Sequence, residues 1–164
     1  RYLEDIERRA FDDAFHEFFN RPAPQASLNY LLDFVYNSCD LHLELVARDL
    51  YAQAFFGGTA SESTQARVRK QLEKNIAGFG RLVKFTPYIA GDSFTLADCV
   101  AFNNLPLVGM ATRAVYGEDL LASAGVDYKP YVKHIGERAS AQRVVADRRA
   151  GAPRAGRSQT KTSL

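Results

Sequence analysis

The stretch Ala90-Gly91-Asp92-Ser93-Phe94-Thr95-Leu96-Ala97-Asp98-Cys99 decides how the rest of the chain is read. Thr95 and Asp98 stand at the Thr-x-x-Asp spacing of a capping box. In that motif the threonine hydroxyl accepts from the amide of Asp98, and the Asp98 carboxylate reaches back to the amide of Thr95. Phe94, just before the cap, and Cys99, four positions after it, have the spacing of a hydrophobic staple. The residues that follow, 96–115, are apolar on nearly every side, which predicts a helix buried in a core. Such a helix has to satisfy its first amides from within the fold, because water cannot reach them. Thr95 and Asp98 are therefore read as structural, with Phe94 and Cys99 as their apolar support.

On either side of this centre the periodicity is helical throughout. Residues 61–85 predict a long helix capped by Ser61, with Val68, Leu72, Ile76, Phe79 and Leu82 inward and its charges mainly outward, ended by Thr86-Pro87. Residues 27–56 predict an earlier long helix that ends at Gly57-Gly58. Its first stripe runs through Leu28, Leu32, Val35, Cys39, His42, Val46 and Leu50. A second runs through Tyr30, Phe34, Leu41 and Leu45. Two apolar sides imply a core position or two interfaces. Past Gly117 come a short helix over 118–123, another over 128–138 with Pro130 in its first turn, and a last one over 141–149 capped by Ser140 and burying Val144 and Val145. Residues 1–24 read as an amphipathic helix followed by a Pro-containing linker with Pro22 and Pro24. Residues 151–164 read as a basic, disordered tail, and 25–150 as the folded domain. Strand-like alternation and internal repeats are absent, so the class is all-α: a multi-helix bundle with two long antiparallel helices around the buried capped one.

Composition removes several function classes. A net charge of +2 on 164 residues, with acids and bases interspersed, gives no reason to expect nucleic acid as a partner. No apolar run is long enough to span a bilayer, so a membrane is not expected either. The two cysteines, Cys39 and Cys99, lie far apart in apolar settings and form no disulfide framework, which fits a reducing, cytoplasmic setting. His16 and His134 have no companion at metal-ligand spacing, so no metal is expected. Phosphate loops, nucleophile elbows and HExxH spacing are absent from the sequence.

The capping-box stretch, in the form Gly-Asp-x-Phe-Thr-Leu-Ala-Asp, resembles a motif of the all-helical C-terminal domain of bacterial-type glutathione S-transferases. Three further matches keep the same order. Phe55-Phe56-Gly57-Gly58 closes the first long helix, and Leu105-Pro106-Leu107 sits inside the buried one. Glu137-Arg138-Ala139-Ser140-Ala141-Gln142-Arg143-Val144 is similar to the family's Arg-Pro-Ser-x-x-Arg-Val ending, with Ala139 in place of proline. The resemblance runs over residues 27–150. It implies a thioredoxin-like domain that binds glutathione as co-substrate and supplies the thiol-activating group. Residues 1–24 cannot hold that domain's four strands, so the expectation is that it is not in this chain.

The same resemblance implies that the helical domain supplies the wall for a hydrophobic, electrophilic small molecule. The polar candidates on the first long helix are Tyr36, Asp40 and His42, and Met110 is an apolar one on the buried helix. Asp40-Leu41-His42 resembles the Glu-Leu-His of beta-class members, whose histidine approaches glutathione. No catalytic residue and no resident cofactor are expected within the chain, which alone should be inactive. The Phe-rich face of residues 1–19 needs a cover, and a homodimer is expected on that account. A non-catalytic helical module for binding or dimerisation is the alternative with the same fold.

Overall fold

The computed structural model describes residues 37–151. The helix and linker expected over 1–24, Tyr36 and the tail beyond 151 lie outside the described residues. Six helices account for the described part. The first, α1, is a continuous run over 38–55 made of a π-helical segment Ser38–Glu44, an α-helical Leu45–Ala47, a tighter 3-10 turn Arg48–Leu50 and an α-helical Tyr51–Phe55. Then come α2 (Glu62–Leu82), α3 (Leu96–Tyr116), α4 (Leu120–Ser123), α5 (Tyr128–Gly136) and α6 (Ala139–Gly151). Among the described residues there is no strand, only an isolated antiparallel bridge between Tyr88 and Gly91. The all-α class read from the sequence is what the fold shows.

α1 and α2 lie antiparallel, joined by the Gly57-Gly58 loop. Two cross-pairs fix their register: Arg67 Nη2 meets Asp49 at 2.7 Å, and Asn75 Nδ2 donates to the carbonyl of His42 at 2.6 Å. α2 follows its sequence closely. Ser61 Oγ accepts from the Thr64 amide at 3.2 Å, and Val68, Leu72, Ile76, Phe79 and Leu82 are all buried. It ends at Leu82 rather than Phe85, because Val83 turns to extended backbone and Phe85 takes a positive φ of 52°.

α1 departs from its expected stripe. The residues that enter the core are Cys39, Leu43, Ala47 and Leu50, while His42 is exposed and Val46 half-buried. A π-turn holds more residues than an α-turn, so the inward positions 39, 43 and 47 are four apart, and the three-residue step to Leu50 comes at the tighter 3-10 turn. Leu41 and Leu45 are 47% exposed, one turn apart on an outward face.

The core helix is α3, which packs chiefly on α1 and also on α4 and α5. Its start is held by one side chain. Asp98 is fully buried and accepts four hydrogen bonds: from the Thr95 amide at 2.8 Å, the Thr95 hydroxyl at 3.1 Å, the Ile89 amide at 2.8 Å and the Tyr131 hydroxyl at 2.9 Å. Both arms of the expected box are thus present, the Asp98 carboxylate on the Thr95 amide and the Thr95 side chain at the Asp98 amide. Thr95 turns its proton onto the same carboxylate, and the Asp98 amide lies 3.1 Å from the Thr95 carbonyl. The ring of Phe94 packs edge-on against Tyr88 at 5.7 Å, with the Arg138 guanidinium 3.7 Å above it. Cys99, its expected staple partner, is exposed on a stripe of α3 that also carries Leu96 (66% exposed) and Met110 (51%). These three positions recur at the helical repeat, so α3 is buried on one side and open on the other, not wrapped all round.

At its far end α3 touches backbone to side chain. A Cβ on Gly109 would fall on the Tyr128 hydroxyl and within 3.0 Å of the Asp119 carboxylate. Tyr128 donates to Asp119 at 3.0 Å, and Asp119 also accepts from the Ala122 amide at 3.3 Å to start α4. Gly117, with φ 79°, closes α3 in the left-handed conformation that favours glycine. α6 begins at Ala139, before the expected cap Ser140, and its expected core pair is not buried. Val144 is 46% exposed and Val145 half-buried, because α6 packs mainly on α5 and turns only Ala141 fully inward.

Two substitutions test this frame. Asp98→Ala strands the Ile89, Thr95 and Tyr131 donors in the core, at about 1–3 kcal/mol for each unsatisfied group. We expect a total loss of about 3–5 kcal/mol in urea unfolding, with Asp98→Asn losing less. Gly109→Ala is expected to cost about 1–3 kcal/mol by overpacking, and Tyr128→Phe in the same chain to recover part of it. Additive losses in the double variant would disprove the clash.

Candidate functional site

Three of the four residues expected to face a substrate are described, and the fold directs them differently. Asp40 lies half-buried between α1 and α3, where Oδ1 accepts from Asn104 Nδ2 at 3.2 Å. His42 is two residues on and exposed, and positions two apart on a helix do not share a face. Its carbonyl, not its ring, makes the contact to α2. Met110 is on α3 six residues beyond Asn104, roughly 240° further round the helix. The structure therefore joins Asp40 to α3 through Asn104 and leaves His42 and Met110 on other exposed surfaces. Leu41 and Leu45 of α1 and Leu96 of α3 are exposed as well.

α1 also holds a cluster that the stripes did not reveal. The Glu44 carboxylate is buried, accepts from Arg48 Nε at 3.2 Å and Nη2 at 2.7 Å, and takes the Tyr51 hydroxyl proton at 3.1 Å. Glu44, Arg48 and Tyr51 stand at i, i+4 and i+7, so the spacing was visible in the sequence. The burial was not, because neither of the two apolar stripes read from the sequence includes Glu44. Burial, then the Glu44 charge, pushes the Tyr51 phenol above its ordinary range. Tyr51 is a donor that keeps its proton, not a base.

Of the two cysteines, Cys99 is exposed and Cys39 supplies no accessible nucleophile. Cys39 is buried, and burial followed by the charges of Asp40 and Asp98 pushes its thiol well up. Among the described residues no group of histidine, cysteine and carboxylate side chains could hold a metal ion. No helix of the described residues is long and apolar enough to cross a membrane.

Concave surface occurs elsewhere. A groove of about 600 Å³ lies between the end of α2, residues 83–86 and the start of α5, lined in part by Ile76, Gly80, Arg81, Lys84, Phe85 and Tyr131. A second hollow of about 420 Å³ adjoins it, sharing Phe85, Thr86, Pro130 and Tyr131 and adding Pro87 and His134. Periodicity could not show it. It forms because α2 stops at Leu82 and the chain folds back, with the Lys84 amide donating to the Ile89 carbonyl at 3.0 Å.

With this geometry in hand, comparison with known proteins gives one informative match. The chain is 31% identical over 132 residues to a glutathione S-transferase of Pseudomonas putida. The match covers 80% of this chain and 58% of that protein, so the chain spans somewhat over half the length of the relative it matches. No family model matches the chain.

The tyrosines give a pH test. Burial, with Glu44, Asp119 or Asp98 beside the ring, raises Tyr51, Tyr128 and Tyr131 above the phenol range. A raised folded pKa means that stability is complete below the unfolded phenol value of about 10 and falls as pH climbs above it. In an alkaline titration followed at the phenolate absorbance, these three are expected to ionise only as the fold is lost. Tyr131→Phe should flatten the alkaline decline. A full complement of phenolate while the helical signal persists would refute this.

Proposed function

We propose, from the premise that this chain belongs to the glutathione S-transferase family, that it supplies the hydrophobic-substrate side of a glutathione-conjugating site. The thiol site would come from a thioredoxin-like domain outside these 164 residues. The single observation that carries this is the 132-residue match to a glutathione S-transferase, of which the chain spans 58%. In such a site the thiolate is made and held by one domain. The helical domain contributes orientation and dryness, placing the electrophile where the sulfur can reach it.

The proposed division of labour is as follows. Met110 and the neighbouring apolar surface of α3 hold the carbon frame of the electrophile. His42, with its ring exposed, is in a position to bond the tripeptide or carry a proton, and an imidazole does both near neutral pH. Tyr36 offers a hydroxyl to the substrate. Asp40, tied to Asn104, fixes the approach of α1 to α3. The protein would act as a homodimer in the cytoplasm.

A second reading is favoured by a different observation. Phe55 and Phe56, at the end of α1, are 40% and 80% exposed, and with Leu41 and Leu45 they leave α1 an apolar outer face. Used as a contact surface, that face would make the chain a non-catalytic module for binding or dimerisation.

The two readings separate on the purified chain. In the first, the chain passes unretained through a glutathione matrix and does not conjugate an aryl halide alone. It nevertheless binds an apolar aromatic dye that the aryl halide displaces, and Met110→Asp weakens dye binding about tenfold, or 1.4 kcal/mol. Retention on glutathione would overturn the proposed absence of a thiol site. Dye binding unchanged by Met110→Asp, with dimers lost on Phe56→Asp, would favour the second reading.

A further inference from the structure

The winding of α1 decides which of its side chains turn inward, and one residue of α2 holds that winding. Cys39 and Leu50 are fully buried and eleven residues apart, about three turns of a regular α-helix, so both would keep their places if α1 were regular throughout. The residues between them would not. Regular winding sets residue 46 within about 40° of both ends, residue 47 roughly 60–80° away, and residue 44 about 120–140° away, facing outward. The structure shows the reverse: Ala47 is fully buried, Val46 is half-buried, and the Glu44 carboxylate lies inside against Arg48 and Tyr51. The π-turn over Ser38–Glu44 produces this arrangement, and the tighter 3-10 turn Arg48–Leu50 takes up its extra residue. The Leu45 amide accordingly bonds the Asp40 carbonyl, five residues back.

A π-turn is rare and needs support from outside its own ladder. Asn75 of α2 supplies it. Its side chain is buried, and Nδ2 donates at 2.6 Å to the His42 carbonyl, inside the π segment. We propose that Asn75 is a positioning residue: it keeps α1 in this winding, and so keeps the His42 ring turned out and the Glu44 carboxylate turned in. Released to regular winding, residue 42 moves to within about 60° of Cys39, rolled towards the core. Glu44 then swings out and leaves the Tyr51 hydroxyl without its acceptor. The bearing on catalysis rests on the reading above, in which His42 meets the tripeptide; the winding itself does not.

The test reads the winding and the histidine separately. Asn75→Leu keeps the volume and removes the donor. Its crystal structure is expected to show the Asp40 carbonyl bonded to the amide of Glu44 in place of that of Leu45. In solution, acylation of His42 by diethyl pyrocarbonate should slow severalfold, while His134, which is also exposed, reacts as before. Asn75→Gln, which keeps the donor, should retain the parent rate, and Asn75→Ala is read in the same way should Asn75→Leu not fold. The proposal fails if the parent chain already pairs Asp40 with the Glu44 amide, if the π-turn survives loss of the donor, or if the winding changes and His42 reacts at the parent rate. Displacement of the dye by the aryl halide belongs to the functional reading alone. Its absence from the parent chain would end that reading and leave the result on the winding standing.

Discussion

The carboxylate of Asp98 is the constraint on which the fold depends. It sits at zero exposure and collects donors from three separate places: its own helix start at Thr95, the loop amide of Ile89 and the ring of Tyr131 on α5. On the side that faces the core, the first turn of α3 cannot use water as a cap, so the loop before it and the helix after it are brought to one point there. That requirement explains the path of residues 83–95. The Tyr88–Gly91 bridge and the return bond from Lys84 to Ile89 fold the loop tightly enough to bring the Ile89 amide onto Asp98. Removing any one donor leaves the others. Removing the acceptor leaves at least three donors without an acceptor, which is why the acid matters more than its partners.

The far end of α3 is governed by the opposite demand, space and not charge. Gly109 lets the Tyr128 hydroxyl approach the helix backbone, and that hydroxyl reaches Asp119, which starts α4. Thr112 on the same helix accepts from the Leu120 amide at 3.2 Å while donating back to the Val108 carbonyl at 2.9 Å. Two tyrosines of α5, Tyr128 and Tyr131, thus end on two buried carboxylates at opposite ends of α3. Each phenol must keep its proton for its bond to exist. α5 is nine residues long and would be marginal alone; these two bonds and its buried Ile135 locate it.

How much of this was readable before any coordinates is best seen residue by residue. Thr95, Asp98 and the inward face of α2 were legible because they rest on local rules, a cap spacing and a 3.6-residue period. The wrong stripe on α1 shows where local rules stop. Nothing in Ser38–Glu44 advertises a π-turn, and once it forms, Leu43 replaces His42 as the inward residue. Val144 was misjudged for a related reason, since α6 is the last helix packed and only its start meets α5. The buried partners Glu44 and Tyr131 were invisible because their burial is set by distant segments. For the candidate site, the identities Asp40, His42 and Met110 came from a resemblance in sequence. That such residues would point in different directions is a tertiary fact.

The exposed apolar positions follow from the same logic. A helix that is apolar all round does not hide both faces among the six helices of the described residues, and one side of α3 is left with Leu96, Cys99 and Met110 outward. Scattered exposed apolar residues need no explanation, but three on one stripe of the core helix make a continuous apolar surface. The inner face of α3 is fixed by Asp98 and Gly109, and its outer face carries Leu96, Cys99 and Met110 in the open.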